Sequence, residues 1–129
     1  METDASAPLA LLVDDDEAVL QIGSRILAKL GLRVLTAETG GVAVDLIVRH
    51  PGEVRLVVFD FSMPGVAPEA LFDRMRAAAP EARFLLASGY SRDASVQAVL
   101  DRGCHGFIQK PFRMDELKQA LQGLMRSEA

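Results

Sequence analysis

The strongest constraint on the fold is a fivefold alternation along the chain, in which a short apolar run is followed by a stretch with helical spacing. The runs are Leu9–Val13, Arg33–Ala37, Val54–Phe59, Arg83–Ala87 and Gly106–Gln109. After the first, Val19, Leu20, Gly23, Ile26, Leu27 and Leu30 recur three and four residues apart, and Gly31 stands where a helix C-terminal glycine belongs. The second helix is expected from Gly40 to about His50 with Ala43, Leu46 and Ile47 inward, stopped by Pro51-Gly52. The third starts near Pro68, carries Leu71, Phe72 and Met75 inward and ends at Pro80. The fourth spans about Arg92 to Arg102 before Gly103, and the last presents Met114, Leu117, Leu121 and Leu124 on one face. Strand-helix repeats of this kind imply a parallel sheet with helices on both faces. The nearly continuous apolar runs Leu56–Phe59 and Phe84–Ala87 mark strands buried on both sides, whereas Arg33–Ala37 reads as an edge strand.

Chemistry-bearing residues fall at the C-terminal ends of these strands. The first ends in Asp14 and Asp15, the third in Asp60, the fourth in Ser88 and the fifth in Lys110. Open parallel sheets bind ligands at that edge, where the strand order reverses. If the first and third strands are neighbours, three carboxylates converge and repel, a penalty that a divalent cation removes. Oxygen donors with no His or Cys nearby favour Mg²⁺. Lys110 adds a point charge and Ser88 a rotatable hydroxyl, both suited to a phosphoryl group. A carboxylate can serve as the nucleophile, forming an acyl phosphate. The parts therefore fit phosphoryl transfer by positioning and charge neutralisation.

Composition narrows the classes of function. The 129 residues suffice for one domain, half are apolar, and a quarter are charged. A net charge of −4 with scattered arginines argues against direct nucleic-acid binding. A lone cysteine, Cys104, excludes an internal disulfide and reads as a small core residue. No apolar run approaches the ~20 residues of a membrane span, and the first residues lack a signal-peptide pattern, so a cytoplasmic protein without membrane contact is expected. His50 and His105 have no partner at metal spacing and are assigned to solvent.

The segments LALLVDDDE (9–17), LVVFDFSMPG (56–65), FLLASGY (84–90) and GFIQKPF (106–112), in this order at strand ends, resemble the receiver domain of two-component response regulators. That resemblance implies a flavodoxin-like, doubly wound five-stranded sheet in order 2-1-3-4-5 with five helices. It implies a receiver domain over residues 9–125, with a short extension at 1–8 and a tail at 126–129. It further implies Asp60 as phosphoacceptor, with Lys110 and Ser88 assisting, and Mg²⁺ (Mn²⁺ substituting) held by Asp14, Asp15, Asp60 and the Ser62 carbonyl. Ser88 and Phe107 would form the switch, Ser62 and Tyr90 would tune the phosphate lifetime, and Lys110–Pro111 would be cis. The implied partners are a histidine kinase or a His phosphotransfer protein. The domain is expected as a monomer or weak dimer through the helix 4–strand 5–helix 5 face. One departure is Val66-Ala67-Pro68, where the family carries an acidic residue and a glycine. The SGY and GFIQKPF wording is similar to receivers fused to hybrid sensor histidine kinases, so a fragment of such a kinase is weighed beside a stand-alone protein.

Blander readings stand beside these. The acidic run at 14–17 could cap a helix, a role assigned to Asp16. Ser88 and Lys110, each taken alone, read as a turn residue and a surface lysine. The rivals to a phosphoacceptor without independent turnover are an aspartate-nucleophile phosphohydrolase, a flavodoxin-like cofactor binder, and a degenerate receiver serving only as a protein-binding module. A phosphohydrolase would carry its Asp-x-Asp pattern after the first strand and a cap insertion. A flavodoxin-like binder would have a Ser/Thr/Gly-rich loop there.

Overall fold

The computed structural model describes residues 7–89 and 93–126. Five strands and five helices alternate: β1 (Leu9–Val13), α1 (Glu17–Lys29), β2 (Arg33–Ala37), α2 (Gly40–Arg49), β3 (Val54–Asp60), α3 (Pro68–Ala78), β4 (Arg83–Ser88), α4 (Ala94–Asp101), β5 (Gly106–Gln109) and α5 (Met114–Arg126). The sheet is wholly parallel in the order β2-β1-β3-β4-β5. β1 and β3 are therefore adjacent, and Val13 pairs with Phe59 at the carboxyl edge. The chain reverses its direction of winding between them, which opens the crevice used by ligands of such sheets. β2 lies at an edge, as its weaker apolar pattern predicts.

Alternation along each strand divides the core into two layers. Leu11, Val57, Phe59, Phe84 and Leu86 face α2, α3 and α4, whereas Leu12, Leu56, Val58 and Leu85 face α1 and α5. In the first layer Phe59, Phe72 and Phe84 pack with ring centroids 5.2–6.4 Å apart. In the second, α1 presses close to β1 at Gly23, where a Cβ would lie 2.6 Å from Leu12 Cδ2. Burial of these faces, rather than helix propensity, holds the short helices in place.

Local signals set the boundaries. Asp16 caps α1, its carboxylate accepting from the N–H groups of Ala18 and Val19. Gly31 ends that helix with φ +91°, a conformation that favours glycine. β3 and β4 each run one residue further than the apolar pattern suggests, taking in Asp60 and Ser88. α4 is shorter than the expected span: Asp93 is its N-cap, accepting from Val96 N–H, and the expected start at Arg92 lies outside the described residues. Among the described residues no helix is long and apolar enough to cross a membrane.

Candidate phosphoacceptor site

The site is assembled at the carboxyl ends of β1, β3, β4 and β5. Asp14 follows β1 directly; its N–H donates to the Ala37 carbonyl of β2, and its carboxylate accepts from Asp16 N–H at 2.9 Å. Its side chain is thus aimed by the turn that starts α1. Asp60 is the last residue of β3, and the next N–H, that of Phe61, donates to the Ala87 carbonyl across the sheet. Asp14 and Asp60 are 2% and 5% exposed, unusual burial for carboxylates without compensation. Asp15 is exposed beside them. One oxygen from each of the three lies within 4.8 Å of the others.

Lys110 bridges the two buried acids. Its ammonium donates to Asp14 at 2.8 Å and to Asp60 at 3.0 Å, while its backbone N–H donates to the Ser88 carbonyl at 2.7 Å. That backbone bond ties the β5 end to the β4 end, so the lysine is placed by the sheet. The Lys110–Pro111 peptide is cis. Burial raises the Asp60 carboxyl above its ordinary value; the Lys110 hydrogen bond opposes this, and the nearby Asp14 and Asp15 charges reinforce it. Burial depresses the Lys110 ammonium, but its bonds to Asp14 and Asp60 outweigh that and hold it above its ordinary value.

Three carboxylates against one ammonium leave two negative charges unbalanced. An octahedral Mg²⁺ about 2.1 Å from each donor spans about 4.2 Å between opposite oxygens. The 4.8 Å grouping can contract onto such an ion by small side-chain rotations. The donors are all oxygen, the charge deficit is that of a divalent ion, and Asp15 faces solvent, where ligand waters can remain. The residues present fit Mg²⁺.

Sheet parity places the remaining candidates. Ser88 is fully buried at the β4 end and pairs with Gln109; Leu86 pairs with Phe107. Ser88 and Phe107 therefore share the face turned toward α4, one pleat apart. Phe107 is half-buried, packed against the phenylalanine-rich layer. Ser62 is exposed in the turn after Asp60. Tyr90 lies outside the described residues. What sequence reasoning missed is the direct contact of Lys110 with Asp14, because those residues are 96 positions apart. Of the histidines, His105 is exposed and His50 half-buried; His50 Nδ1 bonds the Leu46 carbonyl, and His105 Nδ1 accepts from Phe84 N–H at 3.0 Å.

A doubly wound sheet with an acidic triad and a lysine at its switch point defines a class, and sequence comparison narrows it. The profile of the Response regulator receiver domain matches residues 10–122, and the chain belongs to that family, the receivers of two-component signal transduction. It is 32% identical over 118 residues to the "Sensor kinase CckA" of Brucella abortus, covering 92% of this chain and 12% of that protein. It is 30% identical to the "Transcriptional regulatory protein KdpE" of Mycobacterium tuberculosis, over 92% of this chain and 51% of that one. The chain thus spans about half of one of these relatives and about an eighth of the other. Among solved structures, a CheY-like response regulator receiver domain protein from Methanospirillum hungatei JF-1 superposes with TM-score 0.82 at 27% identity, covering 95% of this chain and 98% of that one.

Proposed function

We propose that Asp60 accepts a phosphoryl group from a phosphohistidine and that Asp14, Asp15, Asp60 and the Ser62 carbonyl hold the Mg²⁺ the reaction needs. The observation that carries this reading is the convergence of carboxylates from two strand ends under a single lysine bound to both buried acids. Bound there, Mg²⁺ supplies the missing positive charge for the three acids and for the phosphoryl oxygens.

The residues of the chain do the rest. Asp60 lies at a strand end, so one carboxylate oxygen can approach phosphorus in line. The new O–P bond forms as the N–P bond of the phosphohistidine breaks, and the leaving imidazole takes up a proton from solvent. Lys110 exchanges its bonds to Asp14 and Asp60 for a phosphoryl oxygen, an exchange that its position between them makes short. Ser88 donates its hydroxyl to the same group. Phe107, one pleat away on the same face, then turns toward the space beside Ser88, and the α4–β5–α5 face changes shape. Hydrolysis of the acyl phosphate, at a rate tuned by the residue types at Ser62 and Tyr90, resets the domain. It is a stoichiometric acceptor rather than a turnover enzyme. Its partner is a histidine kinase or a His phosphotransfer protein in the cytoplasm, whether the domain stands alone or within a hybrid kinase.

The test is intact mass spectrometry after incubation with Mg²⁺ and acetyl phosphate, beside Asp60→Asn and an EDTA control. One phosphoryl group is expected on the parent protein, and none on the variant or in EDTA. Equal labelling of parent and Asp60→Asn would refute the assignment.

A further inference from the structure

The departure at Val66-Ala67-Pro68 has a structural counterpart in the loop that joins Asp60 to α3 and carries Ser62. α3 begins without a side-chain cap: Ala67 stands at the N-cap position and Pro68 at the first helical turn. Gly65, just before, takes φ +80°. Apolar side chains anchor this loop instead. Met63 is buried in the layer that faces α2, α3 and α4, and Phe61 and Val66 pack against the same layer.

Val66 is the anchor that reaches α2. A methyl group placed on Gly40, the buried first residue of that helix, would lie 3.3 Å from Val66 Cγ1 and 3.0 Å from Leu71 Cδ1. Val66 and Leu71 therefore close over the hollow that the glycine leaves. The helix beneath is fixed, because the Thr39 hydroxyl accepts from Val42 N–H at 3.1 Å and Ala43 and Ile47 are buried in the core. The other side of the loop borders an open cavity of about 670 Å³ that reaches to the start of α4 and is lined by Ser62, Met63 and Val66 among others. The loop is thus braced from the α2 side.

That bracing matters differently to different cations. Mg²⁺ demands near-ideal octahedral geometry at 2.0–2.1 Å, whereas Ca²⁺ accepts six to eight oxygens at 2.3–2.6 Å in flexible arrangements. A carbonyl on a loosened loop still serves Ca²⁺, but serves Mg²⁺ only after the loop is ordered again.

We propose that Val66 is a positioning residue: seated over Gly40, it holds the loop so that the Ser62 carbonyl meets the geometry of Mg²⁺, and it thereby sets the preference of the site for Mg²⁺ over Ca²⁺. The inference rests on the metal ligands of the proposed function, Ser62 included.

The experiment is NMR titration of the isotopically labelled chain with MgCl₂ and, separately, CaCl₂, with urea unfolding in EDTA alongside. Val66→Ala should weaken Mg²⁺ about fivefold, the equivalent of re-fixing about one loop residue, and Ca²⁺ by less than about twofold. Val66→Ile keeps the contacting carbon and has room for its extra methyl in the open cavity, so it should bind both ions as the parent does. Ile47→Val thins the same core layer about 10 Å further along α2. It should lower urea stability and leave both affinities unchanged. Equal Mg²⁺ affinity of Val66→Ala and parent, equal weakening of both ions, or an Ile47→Val change as large as that of Val66→Ala would each overturn the inference and leave the metal site standing. A parent chain that binds no Mg²⁺ at Asp14, Asp15 and Asp60 would overturn both.

Discussion

Lys110→Met tests whether the acidic site is held together by one cation. The Lys110 ammonium sits 2.8 Å from an Asp14 oxygen and 3.0 Å from an Asp60 oxygen. At an effective dielectric near 20, those separations correspond to attractions of about 6 and about 5.5 kcal/mol. Desolvation of all three groups offsets much of that. Removing one partner of a buried pair costs about 3–5 kcal/mol, because it strands the other charge. Lys110 keeps 20% of its side-chain surface exposed, so the lower end applies and about 3 kcal/mol is expected. For a domain of this size that lowers Tm by about 10 °C. Methionine preserves the apolar length of the side chain, which confines the perturbation to charge. The assay is thermal and urea unfolding in EDTA and in saturating Mg²⁺. Mg²⁺ should close most of the gap, since the ion supplies the charge the variant lacks, and the variant should bind it more tightly. Asp14→Asn, by removing one acid, should make Lys110→Met less costly in a double-mutant cycle. Equal stability of parent and Lys110→Met in EDTA, or a gap that Mg²⁺ leaves unchanged, would refute the electrostatic account.

Two further outcomes follow from groups away from the site. His105 titrates below its ordinary 6.5, so the unfolded chain binds its proton first as pH falls. Stability should therefore rise with pH between the lowered folded-state value and 6.5, and that slope should vanish in His105→Asn by urea unfolding across about pH 5–7. A slope retained in the variant would assign it elsewhere. Burial raises the Cys104 thiol to about 11, leaving about one part in a thousand as thiolate at pH 8. Native protein should resist a disulfide thiol reagent that labels the urea-unfolded chain at once; rapid native labelling would refute the burial of this residue, which is 8% exposed.

How far the sequence could be read depends on the range of the interaction. The starts of the strands, Leu9, Arg33, Val54, Arg83 and Gly106, and the Asp16 cap were legible, because apolar periodicity and capping act over a few residues. The shortened α4 was less so, since Asp93 competes with neighbouring residues for the cap and only the settled backbone shows which wins. For the site, residue types at strand ends pointed to Asp14, Asp15, Asp60, Ser88 and Lys110. His105 is exposed as expected, but its bond to the Phe84 N–H was not legible, because that partner lies 21 positions away on β4.

Local chemistry in the chain determined which segments become strands and helices and which polar residues stand at their ends. Only the tertiary structure decided that β1 lies beside β3, and hence that Asp14 and Asp60 share one lysine. It also set the His105 ring against the Phe84 N–H of β4. The physical reason is that strand order comes from burying both faces of the sheet at once, a collective demand that no short window of sequence carries.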